Sequence, residues 1–354
     1  MSYIGEIPEG AIRYNTDSNK MELWIGDKWM QVGVSSPNLD GGSGDGRGFL
    51  AGGTTTPFPN PVNTIDMITI ATAGDAVNFN DLTQQVREVG GTAASKTRGI
   101  RAGGTISGSP PSSTHTDTID FITMAMQSDA TDFGNLTQHS LSFGASTGGS
   151  ETRGIFMFSM QASSPTRTVT DTIEFVTIAS TGNSNDFGNL TAASQTHQCS
   201  SSPTRTLKYG GFNPNRTAEI EFITTASTGN AQNFGELTRA CGRAGVCGNA
   251  TRGIYAGGED ASPGSSTLTD EAEKIEYATL GNAVEFGSVV GSGREYGSAV
   301  STPVRGVWSG GGPGSLTNTL TYQALATAGT GIDFGDMTAV YQSRGGFSNS
   351  HGGL

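Results

Sequence analysis

TRGIYAGG, residues 251–258, is the stretch on which the fold turns, because the chain writes it repeatedly: KTRGIRAGG at 96–104, ETRGIF at 151–156 and PVRGVWSGG at 303–311. Its arginine falls at Arg47, Arg98, Arg153, Arg205, Arg252 and Arg305, in steps of 51, 55, 52, 47 and 53 residues. Recurrence at about 50 residues marks a repeat architecture, in which one supersecondary unit is copied and neighbouring copies bury each other's apolar faces.

Two more phrases complete each unit. The first is NTIDMITIAT (63–72), DTIDFITMAM (117–126), DTIEFVTIAS (171–180), AEIEFITTAS (218–227), EKIEYATLGN (273–282) and NTLTYQALAT (318–327). It alternates with period two and is rich in branched and aromatic residues, so it reads as a strand. The second, DFGNLT at 132–137 and its relatives, carries one aromatic ring per unit, at Phe79, Phe133, Phe187, Phe234, Phe286 and Phe334. Between the third phrase and the next octet lies a small polar segment such as ACGRAGVCGN (240–249).

Four short strands per unit of this length is the signature of a propeller blade; a solenoid, the rival, would need distinct capping repeats. The last unit ends in a trailing segment, residues 339–354, with no octet after it, while the first unit begins at Arg47 without a leading strand. The tail is therefore expected to supply that strand and close a ring of six blades, leaving no sheet edge bare. The octet's Gly pair is expected at the turn out of the second strand. Its arginine is expected to grip the acidic residue of the neighbouring strand phrase, Asp66, Asp120, Glu174, Glu221 or Glu276, with Thr321 the exception, or several loop carbonyls.

Composition agrees with an all-β chain. Gly supplies 53 of 354 residues, which argues against long helices. A formal charge of −12 speaks against nucleic acid and anionic membrane surfaces as partners. No stretch has the apolar length of a membrane span, and MSYIGEIPEG lacks a signal-peptide pattern, so synthesis in a cytoplasm is expected. Cys199, Cys241 and Cys247 form no disulfide framework and read as buried, although His197 and Cys199 alternate on one strand and leave a metal site conceivable.

The repeated TRGIYAGG, DTIEFVTIAS and DFGNLT phrases resemble the kelch family of β-propellers, and more closely the kelch-like repeats of virion structural proteins of tailed phages, notably those of marine cyanobacteria. The resemblance covers about 47–354 and departs from ordinary kelch in having Phe where a late Trp is usual. It implies a six-bladed propeller in a virion, assembled in the host cytoplasm.

Residues 1–34 do not repeat. Two turn signals separate three short apolar strands, AIRYN, KMELWI and KWMQV, a unit too small to bury its own apolar surface. Association is the expected remedy, with Tyr14, Trp24 and Trp29 as the anchoring rings. The stretch resembles a short motif of phage tail-fibre and adhesin chains, carried by Pro8, Gly10, Ile12, Arg13, Tyr14, Asn15, Thr16, Met21, Glu22, Trp24, Gly26 and Trp29. That resemblance implies a mount binding other virion proteins and a homo-oligomer, a trimer before other forms. SSPNLDGGSGDG (35–46) reads as a flexible linker between mount and propeller.

No catalytic constellation emerges. D-F-G recurs in three units without any other kinase element, G-x-S-x-G lacks its strand-to-helix setting, and no calcium loop of D-x-D-x-D-G type is present. The acids expected near the axis are few: Glu88, Glu151 and Glu295. No enzyme activity and no cofactor are expected. The loops after the Gly pairs, such as 54–62, 105–116 and 259–270, vary in length and offer binding capacity. The expected role is a fibre or appendage component touching a host-surface glycan or outer-membrane protein. The alternatives are a capsid, neck or tail decoration protein and, third, a glycan depolymerase.

Overall fold

The computed structural model describes residues 8, 10–15, 20–31, 46–57, 59–108, 113–142, 148–163, 166–262, 265–288, 293–295, 297–312 and 317–354. All regular structure in them is β, and nearly all of it pairs antiparallel. The chain divides into two compact units, 1–40 and 41–354. The linker expected over 35–46 lies, apart from Gly46, outside the described residues, and Gly46 already accepts a hydrogen bond from Ile70 N at 2.7 Å within the large unit.

Six sheets of the large unit repeat one order. In the second, Gly91–Ala94 pairs with Arg98–Ser107, that with Thr114–Thr123, and that with Thr131–Asn135. Gln198–Ser201, Arg205–Tyr209, Glu219–Thr224 and Gln232–Glu236 form the fourth in the same order. Gly245–Gly248, Arg252–Ala256, Glu271–Glu276 and Val284–Ser288 form the fifth. The sixth is Ser298–Ser301, Arg305–Ser309, Thr319–Ala324 and Ile332–Asp336. In the third, a single bridge, Gly149 to Gly154, replaces the first strand beside Arg153–Met157, Thr172–Thr177 and Asn185–Asn189.

The first sheet takes its first strand from the far end of the chain. Gly345–Ser348 pairs antiparallel with Arg47–Ala51, Phe347 opposite Phe49, and Asn60–Thr69 and Val77–Val86 follow.

The core lies between sheets. One buried cluster joins Ile100, Ile119 and Phe133 of the second sheet to Phe156, Val176 and Ile178 of the third. Another joins Phe49, Phe79 and Phe347 of the first to Ile122 and Met124 of the second. A third joins Val307, Leu320 and Phe334 of the sixth to Leu50, Ile68 and Ile70 of the first. This explains the recurring phenylalanine: Phe79, Phe133, Phe187, Phe234, Phe286 and Phe334 are each at most 3 % exposed. Four of these rings meet the aromatic ring of the preceding strand edge-on, with centroids 5.8–5.9 Å apart, as Phe133 meets Phe121.

Hydrogen bonds tie the same neighbours. Gly182 N donates to Phe133 O, Gly229 N to Phe187 O, Gly281 N to Phe234 O, and Gly74 N, in the first sheet, to Phe334 O in the sixth. A Cβ on Gly134 would collide with the carbonyl of Gly182, so the residue after that phenylalanine must be glycine for the next unit's turn to dock. The Gly pair works similarly. Gly103 has φ 63° and lies against the carbonyl of Ser140, at the entrance to the next unit. The structure adds a pair at Gly210–Gly211, while in the third unit the fully buried Phe158 follows the strand instead.

The octet arginines take backbone carbonyls, the second of the two expected partners, and Arg252 also reaches its expected carboxylate, Glu276. Arg47 donates to Met124 O, Arg98 to Ile178 O and Ala179 O, and Arg153 to Thr225 O. Arg205 donates to Tyr277 O, Arg252 to Leu325 O and Ala326 O, and Arg305 to Ile70 O and Ala71 O. Every arginine reaches the residues just past the third strand of the next sheet, and the sixth reaches those of the first. Their guanidinium planes also lie over Phe121, Phe175, Phe222 and Tyr322 of their own sheets, at 4.4–4.9 Å. In the fifth sheet Lys274 stands where the ring would be, and Arg252 turns to Glu276 at 3.4 Å.

The acids of the strand phrase have other partners. Asp66 pairs with Arg344, Asp120 with Arg101 and Glu221 with Lys208, all buried. Each also accepts from a threonine of the preceding unit, as Asp120 does from Thr83 and Asp66 from Thr338. Glu174 accepts from Thr137 and Ser184. In the fifth unit that position belongs to Glu273, which accepts from Thr238 N at 2.7 Å; the phrase there runs three residues earlier than the sequence pattern indicated. Arg98→Ala is accordingly expected to lower unfolding free energy by about 1–3 kcal/mol, and Arg98→Lys to recover only part, because one ammonium cannot both stack and fork. An unchanged urea midpoint in R98A would refute the staple.

Candidate binding surfaces

The small N-terminal unit is a three-stranded sheet of Ile12–Asn15, Lys20–Ile25 and Lys28–Gln31, the three strands the sequence leads one to expect. Its register sorts side chains by face. Arg13 lies opposite Glu22, and Trp24 opposite Trp29; these share one face. Arg13 Nε donates to Glu22 at 2.8 Å and stacks 4.2 Å above Trp29, whose ring meets Trp24 edge-on at 5.3 Å. Hydrogen bonds from Asn15 and then Arg13 hold the Glu22 carboxyl below its ordinary range. The three rings expected to act together are thus divided. Tyr14 lies on the other face with Ile12, Met21, Leu23, Ile25 and Met30, and Trp24 and Trp29 serve each other and Arg13. That other face is the apolar one, and Ile12, Tyr14, Met21, Ile25 and Met30 are 42–63 % exposed.

In the large unit the segments that follow the octet strands of the second, third and fifth units form hairpins. Thr105 opposite His115 continues the second sheet as a hairpin, whereas Met160–Ser163 with Thr166–Val169 and Glu259–Ser262 with Ser265–Leu268 form separate three-stranded sheets with Ser140–Leu141 and Cys241–Gly242. The tips at 109–112, 164–165 and 263–264 lie outside the described residues. At the bases of these hairpins, charges from successive units meet. Glu88 accepts from Arg87 at 2.6 Å, from Thr105 at 2.7 Å and from Arg167 at 3.3 Å. His115 is buried beside them, with Thr105 at its Nδ1 and Arg167 at its Nε2; burial and then Arg167 lower its pKa to about 4, so it is neutral near pH 7.

A second cluster gathers Arg216, Arg243, Glu259 and Glu295. One guanidinium nitrogen of Arg243 lies 2.5 Å from Glu259 and 3.0 Å from Glu295, so the two carboxylates share a cation. Burial raises the Glu295 pKa, with Arg243 opposing it. Arg243 and Glu295 remain 27 % and 19 % exposed at their side chains, which leaves polar edges that a ligand's hydroxyls could reach. Of the three acids expected near the axis, Glu88 and Glu295 therefore belong to separate ion-paired clusters. Glu151 is exposed, with Lys96 4.0 Å away. Arg243 and Glu259 were not singled out in the sequence, because the residues that meet here stand 16 and 52 positions apart.

Cys199, Cys241 and Cys247 are free and buried. Burial raises all three thiols, Cys199 and Cys241 to about 12, which removes their nucleophilic character near neutral pH. His197 Nε2 faces Met157 O at 3.2 Å, and among the described residues no three His, Cys, Asp or Glu side chains converge on a common metal position. Compared with protein-family models and with curated proteins, the chain matches none.

Proposed function

We propose that the large unit is a six-bladed kelch-like β-propeller and that the chain is a phage virion structural protein. In this reading it is a fibre or appendage component whose propeller hairpins meet a host-surface glycan or outer-membrane protein. The ring is supported by the arginine staples and turn hydrogen bonds that run from each sheet to the next and from the sixth to the first. The virion placement rests on the resemblance of the repeats and of the N-terminal motif to phage chains.

One observation carries the division of labour. The large unit covers its apolar clusters between its own sheets, whereas the small sheet leaves Ile12, Tyr14, Met21, Ile25 and Met30 of its apolar face exposed. Such a pair suits a self-sufficient displayed body on a mount completed by partners, either other virion proteins or further copies in a homo-oligomer, a trimer being the expected form. Weak contacts at many displayed copies would add up through multivalency.

A decoration protein of capsid, neck or tail is the second reading, favoured by the ion pairs that already occupy most charges at the hairpin bases. Binding of the purified chain to host cells, with competition against infection, is expected on the first reading. Binding only to particles that lack the protein would establish the second. Release of sugar from host polysaccharide would overturn both in favour of a depolymerase.

A further inference from the structure

We propose that the apolar face of the N-terminal sheet packs against the same face of other copies of this chain. The argument starts from the register. Ile12, Leu23 and Met30 lie across the three strands in one row, with Tyr14 and Met21 beside them on one side and Ile25 on the other. Lys28, opposite Ile25 at the corner, is the charged side chain placed on that face, and from there its ammonium can stay in water.

The opposite face needs no cover. Arg13, Asn15 and Glu22 satisfy one another, and the two tryptophans pack together under the Arg13 guanidinium. Among the described residues, a sheet satisfied on one side and exposed on the other has one place for a partner.

Three features point to the same chain as that partner. With no charge at its centre, the face can meet its own copy without burying like charges, and symmetric packing sets its small and large residues against one another. Its exposed apolar area is roughly 500 Å² per copy, so two copies together bury about 1,000 Å², the threshold of a specific interface. A sheet of three short strands is also unable to hold together alone, so association and folding of this unit reinforce each other. The inference deepens the reading of residues 1–34 as a mount; it does not depend on where the mount sits.

Light scattering on the intact chain tests it. The expected mass is a multiple of 36.4 kDa, falling to the single-chain value in the double variant Met21→Glu, Ile25→Glu. Because that variant could act by unfolding the sheet, a second measurement uses single cysteines under a mild added oxidant. Leu23→Cys, on the apolar face, is expected to cross-link between chains, and Glu22→Cys, on the other face, is not. A monomeric chain at tens of micromolar, or cross-linking that is equal at both positions, overturns the proposal. A monomer that still binds virus particles would overturn it while leaving the mount in place.

Discussion

Deleting residues 345–354 is expected to abolish cooperative folding of the large unit and leave a chain that aggregates. The segment contributes the strand Gly345–Ser348, whose ladder with Arg47–Ala51 covers an edge that would otherwise be an open template for other strands. Phe347 stacks on Phe49 at 5.6 Å inside the cluster shared by the first and second sheets, and loss of one such ring costs about 3–5 kcal/mol. The tail continues past the strand. Ser348 Oγ donates to Ser301 O at 2.6 Å, His351 Nε2 to Ala94 O at 3.0 Å, and Gly352 lies against the carbonyls of Ser201 and Asn249. Four other units therefore lose contacts at once. Against a total stability of roughly 5–15 kcal/mol, these losses are decisive. Phe347→Ala alone should fold but melt well below the parent. A truncated chain whose thermal midpoint lies within about 2 °C of the parent would show that the tail is an ornament on a fold held by other contacts.

Much of this architecture was legible because repeats expose their own grammar. The phenylalanine and the period-two strand phrase each name a structural need that recurs about every 50 residues, and the trailing tail names the strand the first unit lacks. The arginine's partner was less legible for a physical reason. Arg98 ends on the carbonyls of Ile178 and Ala179, and a backbone carbonyl leaves no letter in a sequence, while carboxylates do. Asp120 drew the eye, yet Arg101, three residues on, occupies it.

The fifth unit misled in another way. Its string E-K-I-E at 273–276 imitates the D-T-I-E of the third, but Arg252 pairs with Glu276, which places Glu273 at the acidic station. In the N-terminal sheet the two tryptophans outweighed the quieter alternation of Ile12, Met21, Leu23, Ile25 and Met30, although that alternation is what leaves a face without cover. The hairpin-base clusters were not legible, since Arg216, Arg243, Glu259 and Glu295 come from three units and meet only once those have folded.

Acid is the second large perturbation, and its sign follows from the histidines. His197 and His351 are buried, and burial, joined at His197 by Lys208, lowers both to about 4. His351 is held neutral by its own geometry: Nε2 donates to Ala94 O and Nδ1 accepts from Gly353 N. In the unfolded chain both rings protonate near pH 6.5, so between about 6.5 and 4 the unfolded state binds more protons than the folded one. Stability is then complete above that window, falls as pH drops through it, and levels off below about 4. Each ring contributes about 3 kcal/mol to the loss, and His115, also lowered to about 4, acts in the same direction. Glu273 and Glu295, raised by burial, take up protons more readily folded than unfolded and offset part of it. The net expectation is a thermal midpoint lower by on the order of 10 °C at pH 4 than at pH 7. Replacing both His197 and His351 by Asn should lower stability at pH 7 but flatten the profile. A slope between pH 6.5 and 4 identical to that of the parent would mean that the buried imidazoles do not drive the acid transition.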